Sequence, residues 1–290
     1  IAGNWSVIPK TVKMVIILLG LSLFYLAGWK TENAYPKTSK SLYYAGMFVY
    51  GAGIFLVGQM FHLDGDLHGA FLLWALGATP LAVYLKDRWA AAFAVLLLFV
   101  YGFALDRNDP YPWLLLFYIP LLYWLNETRV KKSKVLIFFV NALAVLFVIS
   151  SLRNIGFEFA WIAPVVFIGG LLMIFVPPVT YKNIFSWQGS LLIGFTGIIM
   201  TLAEYWEELG VARPEIYSLG FSLLYFGLIL FLLKMGLLPA VLLACLFIFR
   251  YYADLSFDFL PKSLFFVLGG LILIAFGFWF EKKRRGGHEQ

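Results

Sequence analysis

The chain has 290 residues, 62% of them hydrophobic and 13% charged, with a formal net charge of +6. Composition of this kind excludes a water-soluble globular domain, because too little polar surface is present to cover the apolar remainder. The positive balance gives no support to nucleic-acid binding, since the cations lie in short loops between apolar runs.

Eleven such runs follow one another: Thr11–Gly28, Leu42–Phe61, Ala70–Leu85, Trp89–Leu105, Trp113–Leu125, Val135–Leu152, Ala160–Val176, Ser190–Trp206, Ile216–Leu233, Leu237–Tyr252 and Ser263–Phe280. A helix needs ~20 apolar residues to cross a hydrocarbon core ~30 Å thick. Irregular backbone is costly in lipid, so each run is expected to be helical. The fold class predicted is all-α: a polytopic integral membrane protein of about 11 transmembrane helices, one domain over residues 1–290. The fifth run is short, and Pro110 and Pro112 open it early. Pro80, Pro120, Pro164 and Pro239 are expected to kink or break their helices. The longest loops are Trp29–Ser41 and Pro177–Gly189, and no internal repeat is visible.

The loops alternate in charge. Fifteen of the 22 Lys and Arg residues fall on one side, among them Lys30, Lys37, Lys40, Lys86, Arg88 and the clusters Arg129, Lys131, Lys132, Lys134 and Lys282, Lys283, Arg284, Arg285. Cytoplasmic loops carry the excess of Lys and Arg, so this side is assigned to the cytoplasm, with the C-terminus. Both clusters are candidate contacts for anionic lipid. Eleven of the sixteen acids, from Asp64 to Asp258, lie opposite. An odd span count puts Ile1 outside, and Ile1-Ala2-Gly3-Asn4-Trp5 reads like the end of a helix. An upstream helix is therefore expected, giving twelve spans in the intact protein. Aromatic residues, 19% of the chain, cluster at span ends as an interfacial belt. Cys245 stands alone, so there is no disulfide framework.

Polar side chains able to do chemistry gather on the outer side. The second span closes on Gln59, His62, Asp64, Asp66 and His68. Two imidazoles and two carboxylates there could ligate a divalent metal or relay protons. They could equally form a polar turn, because alternate residues in a turn need not converge. Gly51, Phe55, Gly58 and His62 share one helix face, suited to close packing. Gly194, Gly197, Thr201 and Glu204 repeat the device in the eighth span. Glu204 is a candidate ionisable group just inside the hydrocarbon. Arg250 is its natural counter-ion, with Asp254, one turn on, competing for it. Asn141, in mid-span, suggests a hydrogen bond between helices. Hydrolase elbows, phosphate loops, dinucleotide fingerprints and haem-type His pairs are missing, and no cofactor is expected.

Gly58-Gln59-x-x-His62, Gly65-Asp66 and Leu72-Leu73-Trp74-Ala75-Leu76-Gly77-Ala78-Thr79-Pro80-Leu81-Ala82 resemble the signature of a prokaryotic "predicted membrane protein" family of unknown function. Arg250-Tyr251, Leu260-Pro261-Lys262-Ser263, Gly269-Gly270 and Glu281 to Arg285 resemble its closing hairpin. The resemblance implies a multi-pass protein of a bacterial or archaeal inner membrane and carries no activity. The function expected is a permease or channel-like carrier of a small solute, ion or lipid. The alternative is a non-catalytic scaffold or modulatory subunit, and behind both stands a membrane enzyme using the outer His, Asp and Glu residues.

Overall fold

The computed structural model describes residues 8–61, 67–104 and 113–257, with single positions between 267 and 278. Among the described residues there are helices and short turns and no strand. The helices are α1 Lys10–Thr31, α2 Pro36–Phe61, α3 Leu67–Leu85, α4 Arg88–Ala104, α5 Trp113–Thr128, α6 Lys134–Asn154, α7 Phe159–Phe175, α8 Lys182–Met200, α9 Ala203–Glu208, α10 Pro214–Lys234 and α11 Leu238–Phe257.

Among the described residues six helical stretches are long and apolar enough to cross a membrane: Lys10–Thr31, Pro36–Phe61, His68–Leu85, Lys134–Asn154, Val179–Met200 and Pro214–Lys234. Arg88–Ala104 and Phe159–Phe175 are apolar but shorter. Large apolar side chains stand exposed along these helices, with Leu19 at 64%, Leu224 at 76% and Phe103 at 74%. Water would penalise such a surface, whereas lipid tails are as apolar as the side chains themselves.

Helix ends depart from the hydropathy boundaries in an instructive way. Pro36 opens α2, so the supposed loop Trp29–Ser41 shrinks to the few residues between Thr31 and Pro36. Proline suits a first helical position, where its missing N–H would have had no partner. Likewise α8 starts at Lys182, after a 3-10 turn at Val179–Tyr181, and the expected loop Pro177–Gly189 is mostly helix. In both places a polar helical turn precedes the apolar stretch, and hydropathy alone does not register it. The expected eighth span, Ser190–Trp206, therefore shifts toward the N-terminus and breaks after Met200. Helices α3, α5 and α7 run on through Pro80, Pro120 and Pro164. Pro239 stands in the first turn of α11, where it frees no interior carbonyl. The expected eleventh span lies largely outside the described residues, as do Pro110 and Pro112.

The chain divides into two compact units, residues 1–157 and 158–290. In the first, α4 is central and packs against α3, α5 and α6. Alanines make its closest seam: Ala75, Ala78 and Ala82 of α3 meet Ala90, Ala91 and Ala94 of α4, all fully buried. Leu98, Leu115, Leu122, Leu136 and Leu143 complete an aliphatic core. Helix α2 is joined to α3 by a reciprocal fit. The space a side chain would need at Gly51 holds the Trp74 ring, and that at Gly77 holds the Tyr50 ring. Trp74 Nε1 donates to the Met47 carbonyl at 3.0 Å, and Tyr50 donates to the Leu73 carbonyl at 3.2 Å. Helix α1 packs on α2 and buries only Gly28.

In the second unit α7 and α8 form the closest pair, with α8, α10 and α11 enclosing Ile193, Tyr225, Ile229, Leu232 and Leu243. The glycines expected to give α8 a smooth face do so. Gly197 receives the Tyr225 ring and Gly194 receives Leu243. The Tyr225 hydroxyl donates to the Ile193 carbonyl at 3.1 Å.

Candidate functional site

Contacts within the first unit fix which helix ends lie together. Ser39, early in α2, donates to the Gly28 carbonyl late in α1 at 2.7 Å. Tyr84, late in α3, donates to Glu32 just beyond α1 at 2.9 Å. Tyr123, late in α5, donates to Asn141 in the first half of α6. Gly102, late in α4, lies against Leu146 of α6 and Leu115 at the start of α5. The turns α1–α2, α3–α4 and α5–α6 therefore share one end of the unit. That end holds Lys30, Lys37, Lys40, Lys86, Arg88, Arg129, Lys131, Lys132 and Lys134, as the charge alternation anticipates.

The densest polar site described is at this end and centres on Asp87, 5% exposed. Its backbone comes first. Lys86 closes α3 with a left-handed φ of +50°, and the Asp87 N–H reaches back to the Ala82 carbonyl at 3.4 Å. That reversal leaves Asp87 at the N-cap of α4, where its carboxylate accepts from the N–H groups of Trp89 at 2.8 Å and Ala90 at 3.0 Å. Two residues of α2 then converge on the same carboxylate. The Tyr44 hydroxyl donates to Oδ1 at 2.6 Å, and the Lys40 ammonium pairs with Oδ2. Lys40 and Tyr44 are four apart and so share a helix face.

Burial works against the charge on Asp87, but the hydrogen bonds from Lys40, Tyr44 and the Ala90 N–H outweigh it and hold the carboxyl below its usual range. With four donors on it, the carboxylate is a joint that clamps α2 to the α3–α4 turn. It is poorly disposed to act as a base. Composition counts Asp87 merely as an acid on the cationic side. The overlooked signal is an Asp directly before an alanine-rich helix, the usual place for an N-cap.

The polar residues predicted on the opposite side are scattered or only partly described. His62, Asp64 and Asp66 lie outside the described residues, as do Lys282, Lys283, Arg284 and Arg285. Gln59 is exposed on α2. His68 opens α3, half-buried, with its ring centroid 6.0 Å from that of Tyr101. Among the described residues no three His, Cys, Asp or Glu side chains come together as metal ligands. Of the predicted packing face on α2, Gly51 and Phe55 meet α3, and Gly58 has open space beside it. The expected bond from Asn141 forms, with Tyr123.

In the second unit the predicted partnership of Glu204 with Arg250 is replaced by another. Helix α8 stops at Met200, Leu202 is extended, and Glu204 lies exposed in the first turn of the short α9. The break carries Glu204 off the line of Gly194 and Gly197. Arg250 pairs instead with Asp254 at 2.8 Å, one turn along its own helix, and donates from Nη2 to the Thr201 carbonyl at 3.3 Å. A helix end leaves carbonyls that need donors. Here Trp206 Nε1 serves Met200 at 2.8 Å and Arg250 serves Thr201. Arg250→Met should therefore lower stability by about 2 kcal/mol. Amide exchange should quicken across α9, and unchanged exchange there would remove the assigned role.

Residues 1–91 match a family described as "Predicted membrane protein (DUF2157)". No curated protein and no solved structure matches the chain. The matched stretch contains the Gly58–Ala82 signature, the Trp74 and Tyr50 interlock, and Lys40, Tyr44 and Asp87. The resemblance drawn on residues 250–285 lies beyond it. Together with the long apolar helices, the match makes the chain a helical membrane protein.

Proposed function

We propose that the chain crosses a prokaryotic cytoplasmic membrane eleven times, with its C-terminus inside, and serves as a non-catalytic scaffold or modulatory subunit. This reading is preferred over a permease of a small solute, ion or lipid. The observation that carries it is how most of the buried hydroxyls within the described helices are used. The hydroxyls of Thr79, Ser190, Thr196 and Ser222 each donate to the carbonyl four residues back, at 2.7, 2.7, 2.7 and 2.6 Å. Asn141 takes its bond from Tyr123, and the helix seams between are lined mainly by aliphatic and aromatic side chains and glycine. Conduits are built the other way, with carbonyls, carboxylates or amides left to replace a solute's hydration shell.

The purified full chain in proteoliposomes should pass K⁺, Cl⁻, amino acids and sugars no faster than protein-free vesicles. Gentle detergent extraction should recover it with a stoichiometric membrane partner. A saturable flux above the vesicle background would overturn the scaffold reading in favour of a carrier.

A further inference from the structure

Among the described residues, three that are not glycine adopt a left-handed backbone: Lys86 at φ +50°, Lys131 at +56° and Lys132 at +56°. All three are lysines, and all three occupy the turns α3–α4 and α5–α6 at the cationic end of the first unit. A Cβ in this conformation crowds the following carbonyl, a penalty that glycine avoids. The same chain gives the same conformation to glycine at Gly156, Gly210 and Gly236. Membrane orientation needs cations near span ends, but does not need them at left-handed positions. Something else favours lysine there.

The surroundings indicate what that is. The turns are held in place: the Val130 and Lys132 N–H groups return to the carbonyls of Leu125 and Asn126, and Asp87 anchors the other turn. Their cations point outward. Lys86, Arg88, Arg129, Lys131, Lys132 and Lys134 are all exposed. Among the described residues the only carboxylate within ion-pair reach of any of them is Glu127, 3.7 Å from Lys132. Exposed Trp89 and Trp124 lie beside the turns, the side-chain type that settles at headgroup depth. Each left-handed lysine is within four residues of a helix end. A cation so placed meets the bilayer surface before it meets a soluble protein.

We infer that the turns α3–α4 and α5–α6 form a docking surface for anionic phospholipid headgroups, with Lys86, Lys131 and Lys132 displaying ammonium groups to lipid phosphates. The inference rests on the orientation proposed above, which puts this end at the cytoplasmic leaflet.

The test uses the full chain with Lys86→Gly, Lys131→Gly and Lys132→Gly combined, and a second variant with the same three lysines changed to arginine. In neutral detergent the glycine variant should melt higher than the native protein, because it relieves three left-handed side chains. Its retention of phosphatidylglycerol over phosphatidylcholine, read by native mass spectrometry, should fall by about fivefold for each lysine removed. The arginine variant should retain phosphatidylglycerol like the native protein. Undiminished retention by the glycine variant, or loss of retention by the arginine variant, would overturn the docking surface. Orientation is read separately, by labelling Lys37→Cys in a Cys245→Ala background from each side of sealed vesicles. Labelling from the outer side alone would fault the topology and leave the lipid result standing.

Discussion

Asp87→Ala should lower the stability of the detergent-solubilised protein by about 3 kcal/mol, the largest loss expected from truncating one polar side chain in the first unit. One substitution removes the cap of α4, the counter-ion of Lys40 and the acceptor of Tyr44. Asp87→Asn keeps an oxygen for the cap and for Tyr44 and loses the charge and the oxygen that faces the half-exposed Lys40, so its cost should be smaller, about 1 kcal/mol. Acidity should reproduce the effect. Because the folded carboxyl titrates below the unfolded one, its contribution is complete above the unfolded value and is lost as pH falls through the folded one. Native stability should thus decline below about pH 4, the unperturbed carboxylate range. The decline should be shallower in Asp87→Asn. Equal slopes in thermal melts at pH 3 to 6 would show that Asp87 does not carry it.

Gly189→Val should separate α7 from α8 and cost about 3 kcal/mol. A side chain at 189 would begin 2.5 Å from the Gly170 carbonyl oxygen and 2.8 Å from Ile174, and one at 170 would begin 2.9 Å from the Gly189 carbonyl. No rotamer relieves a clash with backbone, so the helices themselves must part. The neighbouring Gly169 provides the control, since nothing stands within 4 Å of its missing side chain. Gly169→Ala should be neutral or slightly stabilising, as alanine favours helix over glycine. Similar melting temperatures for the two variants would refute the close approach.

These two positions mark what was legible in the chain and what was not. Hydropathy locates helices because lipid requires apolar surface and internal hydrogen bonding together, and both depend on local composition. It misplaces α8 because Lys182 to Gly189 is helical without being apolar, and a window of apolarity records only the latter. Glycines at helical spacing rightly announced the seats of Tyr225, Leu243 and Trp74. The Gly170–Gly189 contact went unseen because its members belong to different helices and form no pattern in either. The same holds for Asp87. Its cap is local and readable, but Lys40 and Tyr44 lie more than forty residues away. Glu204 was misread for a different reason. A helical wheel extended through Thr201 assumes a continuous helix, and this one stops where Trp206 and Arg250 can supply donors.

The interlock of α2 with α3 has a mechanical consequence. Each helix carries an aromatic wedge, Trp74 or Tyr50, seated in the other's glycine notch and tied by its polar atom to the other's backbone. A single wedge would let the helices pivot, and ridges alone would let them slip by a turn. Two wedges facing in opposite directions act as a dovetail, blocking both screw motion and axial sliding. Any movement this protein makes in the membrane must carry α2 and α3 as one rigid body, with flexion confined to the joints on either side of the pair.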